Sequence, residues 1–378
     1  MMANPPLRLD TDPDQLRSLV SRAAGRVGLD TEFIRERTYW PQLALVQIAI
    51  DTPGSGDPLT ILADPLAPGV ADAVRPLLED TGIVKVMHSA GEDLVALMRA
   101  CGTLPQPLFD TQIAAALAGV GAGVGYQRLV KDVTGTELAK GETRSDWLRR
   151  PLSPSQLEYA ADDVRHLFAL HDTLDRQLDQ LGRRHWFQED CARMLALAAD
   201  SNGERWPHLS MRAAHFLDQP AQRRLLRLLR WREAQARESD RPRSWILDNE
   251  LATALARDPP ASAEALRSLL ERQPRAPHRL SARIWEALGT PLADEAEAPP
   301  LRGEERDKRV LRKLQDAVAA RSAELGLPDG VLASRRWLEA LMDGDGWPAA
   351  LAGWRREQLE PVLAPILAAA GSRDAAPV

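Results

Sequence analysis

With 378 residues, 44% hydrophobic and 27% charged, the chain is long enough for two or three domains with sizeable cores. Its two cysteines, Cys101 and Cys191, exclude a disulfide framework and a structural zinc cluster. No stretch reaches the roughly 18 apolar residues of a membrane span, and the opening Met-Met-Ala-Asn-Pro-Pro lacks a targeting pattern, so a soluble cytoplasmic protein without a membrane partner is expected. The net charge of −6 is unevenly spread: residues 205–289 hold sixteen Arg, no Lys and ten Asp plus Glu, an excess of +6 that leaves −12 to the remainder. Such a division suits a chain that grips a polyanion with one part and holds divalent cations with another. Solvated Arg faces on helices are the plainer reading.

In chain order, residues 26–30, 43–50, 59–63 and 83–88 are short runs rich in Val, Ile and Leu that predict sheet strands. Between them, 70–78 and 92–100 carry helical spacing. Ser153-Pro154-Ser155-Gln156 predicts a capping box with Pro at the first helical position, opening a helix that runs to residue 181. From residue 205 the texture is all-helical. Residues 290–300 (TPLADEAEAPP) read as an acidic linker rich in Pro and Ala. The expected division is a catalytic α/β domain over 1–204, a helical domain over 205–289, a linker over 290–301, a second helical domain over 302–370 and a disordered tail over 371–378.

The chemistry lies in four acids. Asp30 and Glu32 stand two residues apart on an expected buried strand, so both side chains leave on one face. Two buried like charges are costly unless a cation lies between them, and a divalent metal is the usual answer. Asp93 falls in the first turn of the helix after 83–88, where the dipole favours an ionised carboxylate. Tyr159 and Asp163 are four apart on the capped helix and share a face. Four carboxylates from three elements suit two Mg²⁺ or Mn²⁺ ions, which at about 4 Å apart serve in-line attack of water on a phosphodiester. Tyr159 would orient that water; with an ordinary pKa of about 10 it is a poor general base at neutral pH. Glu92 and Asp162 compete as neighbours. The relation to Tyr159 selects Asp163 over Asp162, whereas spacing alone leaves Glu92 and Asp93 level.

Several stretches follow one another in a telling order. Leu29-Asp30-Thr31-Glu32-Phe33 runs on through Arg37-Thr38-Tyr39-Trp40-Pro41-Gln42-Leu43 to Val46-Gln47-Ile48. After it come His88-Ser89-Ala90-Gly91-Glu92-Asp93-Leu94, Phe109-Asp110-Thr111-Gln112, Lys140-Gly141-Glu142-Thr143-Arg144-Ser145-Asp146-Trp147 and Tyr159-Ala160-Ala161-Asp162-Asp163-Val164. Together they resemble the ribonuclease D family, in the subclass of the DEDD 3′→5′ exonucleases whose third motif is Tyr-x-x-x-Asp. Trp231-Arg232-Glu233, Pro242-Arg243 and Ile246-Leu247 are similar to the helical HRDC module that follows the exonuclease domain in that family. Leu332-Ala333-Ser334-Arg335-Arg336 and Gly353-Trp354-Arg355-Arg356 look like a second, more divergent copy.

The resemblance covers nearly the whole chain. It implies a ribonuclease H-like mixed sheet with flanking helices, followed by two all-α HRDC-like domains. It implies a hydrolytic exoribonuclease that releases nucleoside 5′-monophosphates from RNA 3′ ends, with tRNA precursors and small structured RNAs as substrates. The metal ligands carry over to Asp30, Glu32, Asp93 and Asp163, and the water-orienting role to Tyr159; the register prefers Asp93 to Glu92. A DNA-directed exonuclease of the same superfamily and a catalytically silent RNA-binding scaffold are the rivals. The helical modules argue against the first and the five intact residues against the second. No obligate protein partner is evident, and a monomer is expected.

Three neighbours are substrate candidates. Thr31 would meet the terminal nucleotide through its backbone amide and Phe33 by stacking, with core packing equally open for Phe33. His88 is a candidate contact whose plainer reading is structural. The segment Gly119-Val120-Gly121-Ala122-Gly123-Val124-Gly125 matches neither G-x-G-x-x-G nor the Walker pattern and reads as a loop near the site's mouth. Trp231, Trp245, Trp337, Trp347 and Trp354 read as core residues rather than stacking platforms.

Overall fold

The computed structural model describes residues 7–52, 57–139, 141–142, 145–200, 203–274, 276–299, 307–343 and 346–374. The opening hexapeptide, Lys140, Thr143 and Arg144 of the motif before Tyr159, positions 300–306 around the linker's end, and 375–378 of the expected tail lie outside the described residues.

The α/β part begins with β1 (Leu9–Asp10), α1 (Pro13–Val20), β2 (Arg26–Ile34), β3 (Gln42–Ile50) and β4 (Leu59–Ala63). It continues through α2 (Val70–Glu79), β5 (Val84–Met87), α3 (Gly91–Cys101), β6 (Leu108–Asp110), α4 (Thr111–Leu117) and α5 (Tyr126–Thr134), and closes with α6 (Pro154–Arg165), α7 (Leu167–Gln180) and α8 (Arg184–Ala199). The six strands form one sheet in the order β1-β4-β3-β2-β5-β6. Pairs β2–β3 and β3–β4 are antiparallel, whereas β1–β4, β2–β5 and β5–β6 are parallel. The sheet is therefore mixed, as expected.

Alternation along β2 sorts its side chains. Val27 and Leu29 join Leu16, Val46, Ile48, Leu94 and Leu97 in the core beneath α1, α2 and α3. Gly28, Asp30 and Glu32 take the other face. A Cβ on Gly28 would come within 3.1 Å of both Ala49 Cβ and Leu167 Cδ1, so glycine is what lets α7 close on the strand here. The register slips between Glu32 and Phe33, a bulge at the strand end that carries the acids.

Helices α9 (Gln219–Ser239), α10 (Arg243–Ile246), α11 (Asn249–Arg257), α12 (Ala263–Glu271) and α13 (Ser281–Gly289) enclose their own core around Leu225, Leu228, Leu255 and Leu266. The linker residues that follow fold back onto α9: Arg227 pairs with Glu295, Arg230 with Asp294, and Arg205 with Asp294 and Glu297. Part of the basic excess of 205–289 is thus neutralised within the chain. The last helices, α14 (Lys308–Glu324), α15 (Arg335–Asp343) and α16 (Trp354–Asp374), share one continuous core with α4, α5, α7 and α8. Among the described residues no helix is long and apolar enough to cross a membrane.

The structure departs from the expectations at four points. The capping box is present, with Ser153 and Gln156 bonding reciprocally, but the helix it opens breaks at His166 instead of reaching residue 181. The Tyr126 hydroxyl inserts into the helical ladder there, donating to the Asp162 carbonyl (3.0 Å) and accepting from the His166 amide (3.3 Å). Strands β1 and β6, of two and three residues, escaped notice because they are too short to show a period. Helix α16 runs to Asp374, past the start assigned to the tail. Of the five tryptophans read as core, Trp354 is fully buried and Trp231, Trp337 and Trp347 pack against core clusters, but Trp245 is 57% exposed.

Candidate active site

The acids expected to meet do so. Asp30 and Glu32 leave the second half of β2, Asp93 stands in the first turn of α3, and Asp163 lies one turn after Tyr159 on α6, which packs across β2, β3 and β4. Burial raises the Asp30 carboxyl well above its ordinary range, and repulsion from Asp93, Asp163 and Glu32 adds to this. Burial with the charges of Asp163 and Asp93 pushes Glu32 up to about 8. Asp163 is pushed up to about 7, chiefly by burial and then by Asp162 and Asp93. Burial takes Asp93 to about 6, against a hydrogen bond from the Thr31 hydroxyl.

No Lys, Arg or His among the described residues pairs with any of these four carboxylates. Their neighbours differ. Arg35 Nη1 pairs with Glu92 at 2.6 Å, and Arg165 pairs with Asp162. Of each adjacent acidic pair, one member is matched by an arginine and the other has no ion pair among the described residues. Among the described residues no three His, Cys, Asp or Glu side chains close into a ready ligand cage. A group of oxygen ligands without a counter-charge suits a hard divalent ion.

Metal-free protein should register this repulsion. The folded pKa values lie above those of the unfolded chain, so the carboxyls stabilise the fold while protonated and lose that contribution as pH rises through about 6, 7 and 8. Thermal unfolding in EDTA should therefore show a melting temperature that falls between about pH 5 and 8, and Mn²⁺ should restore most of the loss at the upper end.

Tyr159 is half-buried beside the cluster, with Trp147 at 6.1 Å between ring centroids. Burial and the charges of Asp163, Glu32 and Asp30 push its phenol well above the ordinary tyrosine range, so it stays protonated. Thr31 is buried with its hydroxyl committed to Asp93. Phe33 packs against the apolar cluster of α1–α3, in line with the core reading. His88 Nδ1 lies 2.8 Å from Thr111 Oγ1, which itself donates to the Met87 carbonyl, and its ring faces Tyr126. Burial lowers its pKa, so the ring is neutral.

Two contributors escaped the sequence reading. Asp110, fully buried, caps α4 through the Gln112 and Ile113 amides and accepts from the Ala90 amide at 2.8 Å, fixing the turn that delivers Asp93. Within that turn Ser89 holds φ at +58°, a strained value for a residue with a Cβ. The signal was available: an Asp directly before a helical Thr-Gln pair is an N-cap pattern. The second is Gln47, fully buried opposite Asp30.

Comparison with known proteins follows the same division. Residues 8–179 match a 3′-5′ exonuclease family model, and residues 221–288 match the HRDC domain. The chain is 61% identical to ribonuclease D of Xanthomonas oryzae pv. oryzae over 95% of its own length and 98% of that protein's. The chain belongs to the ribonuclease D family. The Pseudomonas paraeruginosa ribonuclease D is 37% identical over 89% of this chain and 90% of its own. The crystal structure of Escherichia coli RNase D, described as an exoribonuclease involved in structured RNA processing, superposes with a TM-score of 0.78 at 28% identity, covering 96% of this chain and 98% of that one. In this ribonuclease D family member, the matched exonuclease domain contains all five residues described above.

Proposed function

We propose that this exoribonuclease removes nucleotides one at a time from RNA 3′ ends at the cluster of Asp30, Glu32, Asp93 and Asp163. The observation that carries this is the set of four carboxylates that no cation pairs with among the described residues, while Glu92 and Asp162, beside two of them, each have an arginine. The four acids would hold two divalent ions, Mg²⁺ or Mn²⁺. When bound, such ions supply the charge that steadies both the attacking and the leaving oxygen of an in-line displacement. Thr31 steadies Asp93, and the Asp110-capped turn fixes the α3 terminus that presents it. The Tyr159 phenol, held protonated, donates a hydrogen bond that orients the attacking water. Thr31, Phe33 and His88 border the position of the terminal nucleotide. The substrates are tRNA precursors and other small structured RNAs, and the two buried, unpaired cysteines suit a reducing cytoplasm.

The direct test is the product of digestion. RNA labelled in its 3′-terminal nucleotide should yield a labelled nucleoside 5′-monophosphate in Mn²⁺ and nothing in EDTA. Release of a 3′-monophosphate, or of internal fragments first, overturns the reading. Tyr159→Phe should lower kcat by about 10²–10³-fold, the effect of losing one oriented donor, with KM for RNA changing little; steady-state kinetics separates the two.

A further inference from the structure

At the seam between the end of β2 and the first helical domain lies a cavity of about 440 Å³, bordered by Arg35, Arg232, Arg243, Thr38, Ser244 and Asn249. Glu36 is the single acid on its wall. The seam is built to last. The Tyr39 hydroxyl donates to Glu233 and accepts from Arg237 (2.9 Å) and Arg243 (3.1 Å), while Asp240 accepts from the Tyr39 and Trp40 amides. Burial opposes charge on Glu233, yet its bonds to Arg243, Tyr39 and Arg237 hold it down to about 2. Glu233 pairs with Arg243 on the wall and with Arg237 behind it, and leaves Arg232 and Arg35 without its charge.

Two of the lining arginines sit in contrasting surroundings. Arg232 uses Nη1 on the Leu247 carbonyl and Asn249, but its buried Nε has no partner. Both burial and the nearby Arg243 disfavour its charge, which an anion would relieve. Arg35 bridges the cavity to the acids: Nε donates to the Tyr39 carbonyl at 2.8 Å and Nη1 to Glu92, the residue before Asp93. It lies three residues beyond Glu32 on extended chain, about 10 Å away. A basic cavity this close to a centre that cleaves phosphodiesters has an evident anion to meet.

We propose that the seam cavity seats a backbone phosphate of the RNA strand upstream of the scissile one, with Arg35, Arg232 and Arg243 lining its seat. The proposal rests on the exoribonuclease reading and names where the strand is held. Binding of 5′-fluorescein-labelled single-stranded RNA, followed by anisotropy in EDTA over a salt series, tests it with the full chain. Arg232→Gln and Ser244→Glu, the second of which removes no arginine, should each weaken binding about tenfold and reduce the slope of log K against log salt by about one. The loss should be larger for a long strand than for a dinucleotide. Unchanged affinity and slope in both variants overturn the proposal. If wild type degrades RNA while the variants bind like wild type, this site fails and the function stands; if wild type neither binds nor degrades RNA, the function fails. Inorganic phosphate alone protecting wild type but not Ser244→Glu against heat, with equal RNA affinity, reassigns the cavity to free phosphate and also overturns the proposal.

A separate observation concerns Gln47. Its side chain is fully buried and neither amide atom has a partner. It pairs in register with Asp30 on one side and Leu62 on the other, so of the side chains directly opposite only Asp30 is polar. Cross-strand partners share a face with Cβ atoms about 5 Å apart. The geometry points to Gln47 as a positioning residue whose amide orients Asp30 when that carboxylate ligates a metal. Gln47→Leu should keep metal-free stability at or above wild type, since an orphaned amide is removed, yet lower Mn²⁺ affinity by about 10–100-fold, read by calorimetry. Gln47→Met, should the first variant fail to fold, should behave alike. Wild-type Mn²⁺ affinity in a folded variant overturns this role.

Discussion

Asp163→Asn should cut the rate of nucleotide release by about 10³-fold or more while making the metal-free protein harder to unfold. The two effects share one cause. Asp163 is largely buried with its charge opposed by Asp162 and Asp93, and among the described residues no arginine pairs with it. Without metal, a neutral amide of the same shape relieves that repulsion, by about 1–3 kcal/mol, the order of an uncompensated buried polar group. With metal, the lost ligand removes several kcal/mol of transition-state stabilisation, about tenfold in rate for each 1.4 kcal/mol. Asp162→Asn is the contrast: its charge is already matched by Arg165, and it should leave most activity intact. A gain in stability without loss of activity at Asp163 would show that the cluster does not act as a metal site.

Asp190→Ala should be the most damaging change outside the active site, at about 3–5 kcal/mol in urea unfolding. Asp190 on α8 accepts from Arg355 Nη2 at 2.8 Å and from Trp354 Nε1 at 3.1 Å, and both members of the ion pair are about nine-tenths buried. Trp354 stacks on Trp186 with centroids 4.5 Å apart, and Glu189 accepts the Trp354 amide. Removing the carboxylate leaves Arg355 desolvated without a counter-ion, which is worse than removing the pair. Asp190→Leu with Arg355→Met should recover most of the loss. A cost below about 1 kcal/mol, the range of a surface pair, would mean that the last three helices are not docked on α8 in solution.

The two cases also mark what sequence could reveal. Asp30 and Glu32 were legible because a period of two on a strand is a local property. Tyr159 and Asp163 were legible because a helical turn and its capping box are local as well. Glu92 and Asp93 could not be ranked by spacing, since the deciding partner, Arg35, comes from another strand end. The break at His166 was hidden for the same reason: nothing in its own helix causes it, and the hydroxyl that interrupts the ladder arrives from Tyr126, forty residues earlier. The linker's acids read as a solvated spacer until α9 supplied Arg227 and Arg230. In each instance the missing information was a long-range partner, not a misjudged propensity.

The central claim is tested most directly by degradation of a 5′-labelled RNA with a single-stranded 3′ extension in Mg²⁺ or Mn²⁺, comparing wild type with Asp30→Asn. The expected result is a ladder that shortens from the 3′ end with wild type, absent in EDTA and in the variant. Intact RNA with wild type in both metals, or a ladder that persists in the variant, would contradict it.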